Sequence, residues 1–359
     1  MSHPPSALSR AGAFCRRFGL RVPILLAPMS GACPPGLSIA VARAGGLGAC
    51  GALLMQPRAI ADWAAEMRAG SDGPFQINLW VPDPSPPRNV SHEAEVRAFL
   101  EKWGPPVPEA AGDAAPPDFD AQCEAIADIA PPIASSIMGL YRPDFVRILK
   151  ERGVSWWANV STVAEARAAE EAGADVIVAQ GMEAGGHRGC FDAADAERSM
   201  VGLVSLVPAV VDAVRLPVVA TGGIADSRGV AAALTLGASA AQIGTGFLRC
   251  PEARLPKAWA DALVRTGPED TLVSRVFSGR AGRSIATTYV RTATGQGAPN
   301  PAPYPVQRGL TQGLRDLAIA MDDVDRMQAW AGQSAALARA EPAGVMVGAV
   351  WDGARALLP

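Results

Sequence analysis

One phrase recurs along this chain: a short apolar run, a loop, an amphipathic helix, a glycine, and then the next apolar run. The clearest copy starts at the apolar strand Ser155–Asn159. Thr162 then predicts a helix N-cap, with Glu165 three residues on, which is the spacing of a capping box. Val163, Ala166 and Ala169 supply an apolar face at helical spacing. Gly173 ends the helix where a left-handed residue is wanted. Asp175–Ala179 follows, with Val176, Ile177 and Val178 unbroken by polar residues. Continuous apolar strands of this kind fit a parallel sheet covered on both faces.

The phrase returns at Pro217–Ala220, with Asp226 capping a helix that Gly237 closes before the strand Ser239–Ile243. Working backwards, strands are expected at Ile24–Ala27, Leu47–Cys50, Phe75–Asn78 and Ile133–Ser136. The gap after the strand at 175 is enlarged. Eight such units predict an α/β fold, a TIM (β/α)8 barrel, with an open doubly wound sheet as the rival architecture. A barrel takes about 250 residues, and the chain has 359. Two segments break the pitch: the Pro-rich stretch 81–117, helical over Ser91–Trp103, and a mostly helical tail from Pro251. The expected organisation is a barrel over 1–252 carrying the 81–117 insertion, a smaller helical domain over 253–325 that covers the substrate, and C-terminal helices over 326–359 that return to the barrel.

Composition narrows the function. Lys plus Arg number 32 against 35 Asp plus Glu, so there is no basic field for nucleic acid or an anionic membrane. No apolar run reaches the roughly 18 residues of a membrane-spanning helix. Val22–Met29, interrupted by Pro23 and Pro28, reads as a buried strand and not as a signal peptide. Six cysteines at 15, 33, 50, 123, 190 and 250 form no CxxC pair and no metal or disulfide pattern, which predicts reduced, mostly buried thiols in a cytoplasmic protein. No metal-binding motif, GxSxG elbow or strand-one GxGxxG is present.

Barrel chemistry sits in the loops after the strands. The loop Gln180–Gly189 holds one of three histidines; His3 lies in the N-terminal tail and His92 in the insertion. His187 is therefore the candidate catalytic imidazole, against the alternative of a surface-loop histidine. Gly185, Gly186 and Gly189 let the backbone pass close to a flat ligand. Thr221–Ile224 and Gln242–Gly246 follow the last two strands, where barrels commonly bind phosphate. Gly222, Gly223, Gln242, Ile243, Gly244 and Thr245 are the candidate contacts. Asn78 ends the third strand, where its amide can both donate and accept; a turn-capping role is the other reading. Ala27, Pro28 and Met29 end the first strand, where a soft thioether can pack on a planar ring or simply fill the core.

Together these residues resemble the nitronate monooxygenase family, formerly grouped as 2-nitropropane dioxygenase-like flavoproteins. The similar stretches are APMSG (27–31), ARAGGLG (42–48), FQINLW (75–80), AQGMEAGGHRG (179–189), ATGGIAD (220–226), QIGTGFL (242–248), FSGRAGRSI (277–285), PYPVQ (303–307) and WAGQS (330–334). The 179–189 stretch is the most specific, whereas TGGI and QIGT occur in other FMN barrels. The resemblance implies FMN as cofactor, with Asn78, Gln180, Gly185, Gly223 and Gln242–Thr245 matching cofactor-binding positions and His187 matching the active-site histidine. It departs at Asn159, where some relatives carry a lysine. It implies oxidation of alkyl nitronates, such as propionate 3-nitronate, by O2 to a carbonyl compound and nitrite. His187 would hold the nitronate oxygens, or remove an α-proton from a neutral nitroalkane. Arg188, Arg249, Arg280, Arg283 and Tyr304 are candidates for a substrate carboxylate or nitro group. The alternatives are an FMN-dependent enoyl-acyl-carrier-protein reductase using NADPH, an inosine-monophosphate-dehydrogenase-like barrel, and a non-catalytic flavin or phosphate-ligand binder. A homodimer through the helical tail is compatible with the pattern.

Overall fold

The computed structural model describes residues 6–359, so His3 lies outside the described residues. All eight expected strands form: β1 (Ile24–Leu26), β2 (Gly48–Gly51), β3 (Phe75–Trp80), β4 (Ile133–Ile137), β5 (Ser155–Val160), β6 (Val176–Gln180), β8 (Val218–Thr221) and β9 (Ala240–Ile243). They pair in parallel in the order β1-β9-β8-β6-β5-β4-β3-β2. A parallel bridge between Leu25 and Leu47 brings the two ends together, so the sheet closes as a TIM barrel.

Alternation along each strand decides which side chains meet inside. On β3, Phe75, Ile77 and Leu79 join the apolar layer between sheet and helices. Gln76, Asn78 and Trp80 therefore point the other way. On β5, Trp156, Ala158 and Val160 face the helices, and Trp157 and Asn159 face inward. On β6 the inward series is Val176, Val178 and Gln180. The lower interior is apolar, built from Leu25, Ile133, Trp157, Val176, Val178 and Val219. A helix over Ala7–Phe18, within the expected N-terminal tail, plugs it from below. Phe14 and Phe18 lie 5.6 and 5.0 Å from the Trp157 ring. Only the upper interior is polar, and it opens toward the strand-end loops.

Helix termini follow the sequence signals with one displacement. Thr162 Oγ1 accepts from Glu165 N–H at 3.1 Å. The Glu165 carboxylate, however, accepts from Ser161 N–H at 2.6 Å and Phe191 N–H at 2.8 Å. The capping box thus reaches one residue early and also holds the end of the His187 loop. Asp226 caps its helix as expected, and Gly173 and Gly237 both have positive φ.

The insertion contributes the helix Val90–Leu100. Its Val96 and Leu100 share a second core with Phe277, Tyr289, Val306 and Leu310 of the C-terminal segment. That segment is mostly helical, but it also carries β10 (Thr271–Ser274) and β11 (Gly282–Ile285). These pair antiparallel, and β11 pairs in turn with β7, the two residues Gly186–His187. The helix Ala343–Leu357 packs on the barrel helices Pro35–Arg43 and Ser227–Thr235. All six cysteines are free and buried. Among the described residues no helix is long and apolar enough to cross a membrane.

Trp157 fills the closed end of the barrel at 0% exposure, so Trp157→Ala should cost about 3–5 kcal/mol of stability, read from a urea midpoint at unchanged m-value.

Candidate active site

The upper interior collects the ends of β3 to β9. Asn78 Nδ2 donates to Ser135 Oγ at 3.0 Å. Gln76 Nε2 donates to Gln242 Oε1 at 3.0 Å, and Thr221 Oγ1 donates to the Gln242 carbonyl at 3.0 Å. The Gln242 side chain is thus held within the barrel, and the Ile243 side chain faces the helices. Asn159 keeps a buried side-chain oxygen with no partner.

Gln180 ties the 180–189 loop to the barrel. Its Nε2 donates to the His187 carbonyl at 3.0 Å, and its Oε1 accepts from Gly189 N–H at 2.7 Å. Arg188, fully buried, donates to the carbonyls of Gln180 (3.2 Å), Gly181 (2.9 Å) and Ser199 (3.2 Å). From the other side, β7 pairs with β11, and Arg283 Nε donates to the Met182 carbonyl at 3.0 Å.

The WAGQS segment then spans three loops. Gly332 N–H donates to Thr245 Oγ1 at 3.0 Å, Gln333 N–H to the Glu183 carbonyl at 2.9 Å, and Ser334 Oγ to the Gly223 carbonyl at 2.6 Å. Gly185 makes this approach feasible, because a Cβ there would lie 2.5 Å from Gly332 N and 2.7 Å from the Ala331 carbonyl carbon.

The half-buried His187 ring sits between Trp80 (centroids 4.8 Å apart, near-perpendicular) and Trp330 (4.9 Å). Tyr304 stacks on Trp80 at 4.8 Å and 13°. His187 Nε2 is 2.8 Å from Ser278 Oγ, which also lies 3.1 Å from the Arg280 carbonyl. The hydroxyl has one proton for these two acceptors. Given to Nε2, it sets the tautomer with an Nδ1–H donor. Given to the carbonyl, it leaves Nε2–H donating to Ser278 and a lone pair on Nδ1. Removal from water, then the positive charges of Arg280 and Arg308, push the imidazole pKa down to about 3.

The expected arginines are mostly committed elsewhere. Arg249 donates to the Ala338 carbonyl at 2.9 Å. Arg280 pairs with Asp83, donates to the Cys190 carbonyl, and lies 5.7 Å over the Trp80 ring. Arg283 also donates to Thr271 Oγ1 at 2.9 Å. Trp80, Ser278, Trp330 and Arg308 were not singled out from the sequence. The alternation Gln76–Asn78–Trp80 carried the signal for Trp80, and motif stretches already contained Ser278 and Trp330.

A planar, phosphate-bearing cofactor suits these residues. The N–H groups of Gly222, Gly223, Gly244 and Thr245 donate to no described protein group. Gly222 and Gly223 both have positive φ, and Gly186 borders open space where a Cβ would touch nothing within 4 Å. Ala27 Cβ and Met29 Sδ each lie 3.4 Å from where a Cβ on Gly244 would stand, so the Ala27–Pro28–Met29 turn and the Gly244 loop adjoin at the barrel mouth. Among the described residues no cluster of His, Cys, Asp and Glu could hold a metal ion.

The family model for nitronate monooxygenase matches residues 14–351. A nitronate monooxygenase from Paraburkholderia phytofirmans is 37% identical over 339 residues, covering 92% of this chain and 91% of that protein. A probable nitronate monooxygenase from Bacillus subtilis is 35% identical, covering 89% and 92%. Among solved structures, nitroalkane oxidase from Streptomyces ansochromogenes superposes with a TM-score of 0.85 at 34% identity, covering 96% of this chain and 99% of the other. FabK from Thermotoga maritima gives 0.74 at 26% identity, covering 99% and 97%.

Two outcomes follow. A histidine whose folded pKa is depressed contributes stability above its unfolded value near 6.5 and loses it as pH falls toward about 3. Between pH 6.5 and 4 the melting temperature of the native protein should fall more steeply than that of His187→Asn. Gly185→Ala should displace the 330–334 segment and cost about 1–3 kcal/mol, seen as a lowered urea midpoint.

Proposed function

The chain belongs to the nitronate monooxygenase family, and we propose that it oxidises alkyl nitronates, propionate 3-nitronate among them, with O2 to a carbonyl compound and nitrite. Enzymes of this family oxidise nitronates with a flavin, and the cofactor is FMN. Bound FMN supplies the electron transfer between nitronate and O2. The free amides of Gly222, Gly223, Gly244 and Thr245 would hold its phosphate at two helix-entry loops. Asn78 and Asn159 would face its ring, with the unpartnered Asn159 oxygen accepting where some relatives place a cation.

The observation that carries this reading is the placement of His187 between Trp80 and Trp330, with Nε2 2.8 Å from Ser278 Oγ. A general base works best when it titrates near the operating pH. This imidazole stays neutral down to about pH 3, which suits it poorly to pulling a proton from a neutral nitroalkane. It is suited to receiving a substrate that arrives already deprotonated. With the Ser278 proton on Nε2, the Nδ1–H can donate to a nitronate oxygen. Trp80 and Trp330 shield that contact from water, where it gains strength. The enoyl reductase alternative has less support, since the likeness to the nitroalkane oxidase exceeds that to FabK in both identity and superposition.

His187→Asn should keep its FMN, seen as unchanged yellow absorbance, and lose at least about 100-fold in kcat/KM for a nitronate. Near-normal turnover would remove His187 from the mechanism. Fast bleaching of the anaerobic holoenzyme by NADPH, and not by nitronate, would replace the reading with a reductase.

A further inference from the structure

Four aromatic side chains touch in series between His187 and the surface. The His187 ring meets Trp330 at 4.9 Å between centroids, Trp330 meets Phe277 at 6.3 Å, Phe277 meets Tyr289 at 5.0 Å, and Tyr289 meets Trp103 at 5.3 Å. Every step lies within the range of direct ring contact. The series crosses the second core through the buried Phe277 and Tyr289. It ends on Trp103, in the insertion that interrupts the barrel.

The outer end differs from the middle in what can happen to a proton. The Tyr289 hydroxyl donates to the Val276 carbonyl at 3.2 Å, and burial pushes its pKa up. A carbonyl accepts a hydrogen bond but is no base for a phenol proton. A Tyr289 that has lost an electron therefore keeps its proton and takes an electron back from a neighbouring ring. Trp103 is half-buried. Its indole N–H bonds to no described residue and is not among the sealed polar groups, so it faces water. An oxidised Trp103 can give that proton to water and come to rest as a neutral radical.

We infer that Trp330, Phe277, Tyr289 and Trp103 form an electron path that drains oxidising equivalents from the active site to a surface tryptophan, where a thiol quenches them. The source of the oxidant rests on the nitronate reading above. O2 that joins a substrate stripped of one electron gives a peroxyl radical, ROO•. A peroxyl radical left in the pocket takes one electron from Trp330 and one proton from water, and becomes the hydroperoxide ROOH. Trp103 refills Trp330 through Tyr289 and Phe277 and loses its N–H proton to water. A thiol RSH then returns a hydrogen atom to Trp103 and leaves as RS•. The sum is ROO• + RSH → ROOH + RS•, and the protein ends unchanged. Without the path, the same oxidant would damage the indoles that flank His187.

The test uses the FMN-loaded enzyme. A blue flash makes bound flavin a one-electron oxidant without any nitronate. Native protein should show a long-lived neutral tryptophan radical by transient absorption, and added dithiothreitol should quench it. Trp103→Phe should lose that radical, and Tyr289→Phe should delay its appearance. Trp351→Phe, off the path, should match the native trace. FMN content checks that each variant is folded, and Tyr289→Phe, which removes one hydroxyl, carries the test if Trp103→Phe does not fold. During turnover on propionate 3-nitronate, Trp103→Phe should start at the native kcat but lose activity sooner, with mass spectrometry finding oxidised Trp330 or Trp80. A native trace without the long-lived radical, or one that neither path variant alters, overturns the path. Equal survival of native enzyme and Trp103→Phe through turnover overturns it as well. If no nitronate is oxidised, the functional reading fails, and the flash experiment alone decides the path.

Discussion

The pairing of two residues, Gly186 and His187, with Gly282 and Arg283 holds the site in register. Without it the long excursion after β6 would be a glycine-rich loop with no sheet or helix of its own. With it, one face of the loop becomes a strand edge on a separate small sheet. The opposite end is gripped by Gln180, whose amide spans His187 and Gly189. Glu165 holds Phe191 just beyond. His187 is therefore positioned from the barrel and from the C-terminal segment at once. Such over-determination is what a side chain needs to hold a catalytic geometry.

Charge around this loop follows one rule. Buried arginines here mostly hold backbone carbonyls. Each guanidinium has five donors and no acceptor, so one side chain can pin several carbonyls that a loop would otherwise leave unmet. Arg188 does this for three of them. Removal from water, and then the charges of Arg280 and Arg308, keep His187 neutral.

Much of the barrel was legible because its signals are local. The unbroken runs at Val176–Val178 and Val218–Ala220, the caps at Thr162 and Asp226 and the stops at Gly173 and Gly237 each depend on neighbours within a few residues. The elements that escaped notice depend on distant ones. β7 is two residues long and exists only because β11, about a hundred residues later, lies beside it. The Ala7–Phe18 helix is marked as a plug by Trp157, which no periodicity within 7–18 reveals. Trp80 lay one alternation step beyond the expected end of β3. The loop glycines were expected to let the backbone pass close to a flat ligand; at Gly185 the group that comes close is the backbone of Ala331–Gly332 of the same chain.

The bridge from Trp330 to Ser334 also sets an order in time. Chains fold as they are made, amino-terminal parts first. The eight strands and the paired β7–β11 edge are complete by residue 285. The segment that clasps Thr245, Glu183 and Gly223 emerges only afterward. A growing chain would thus have its barrel strands before the segment that finishes the pocket. Capture of the cofactor would await that segment, and a chain cut short before residue 330 would fold around an unfinished site.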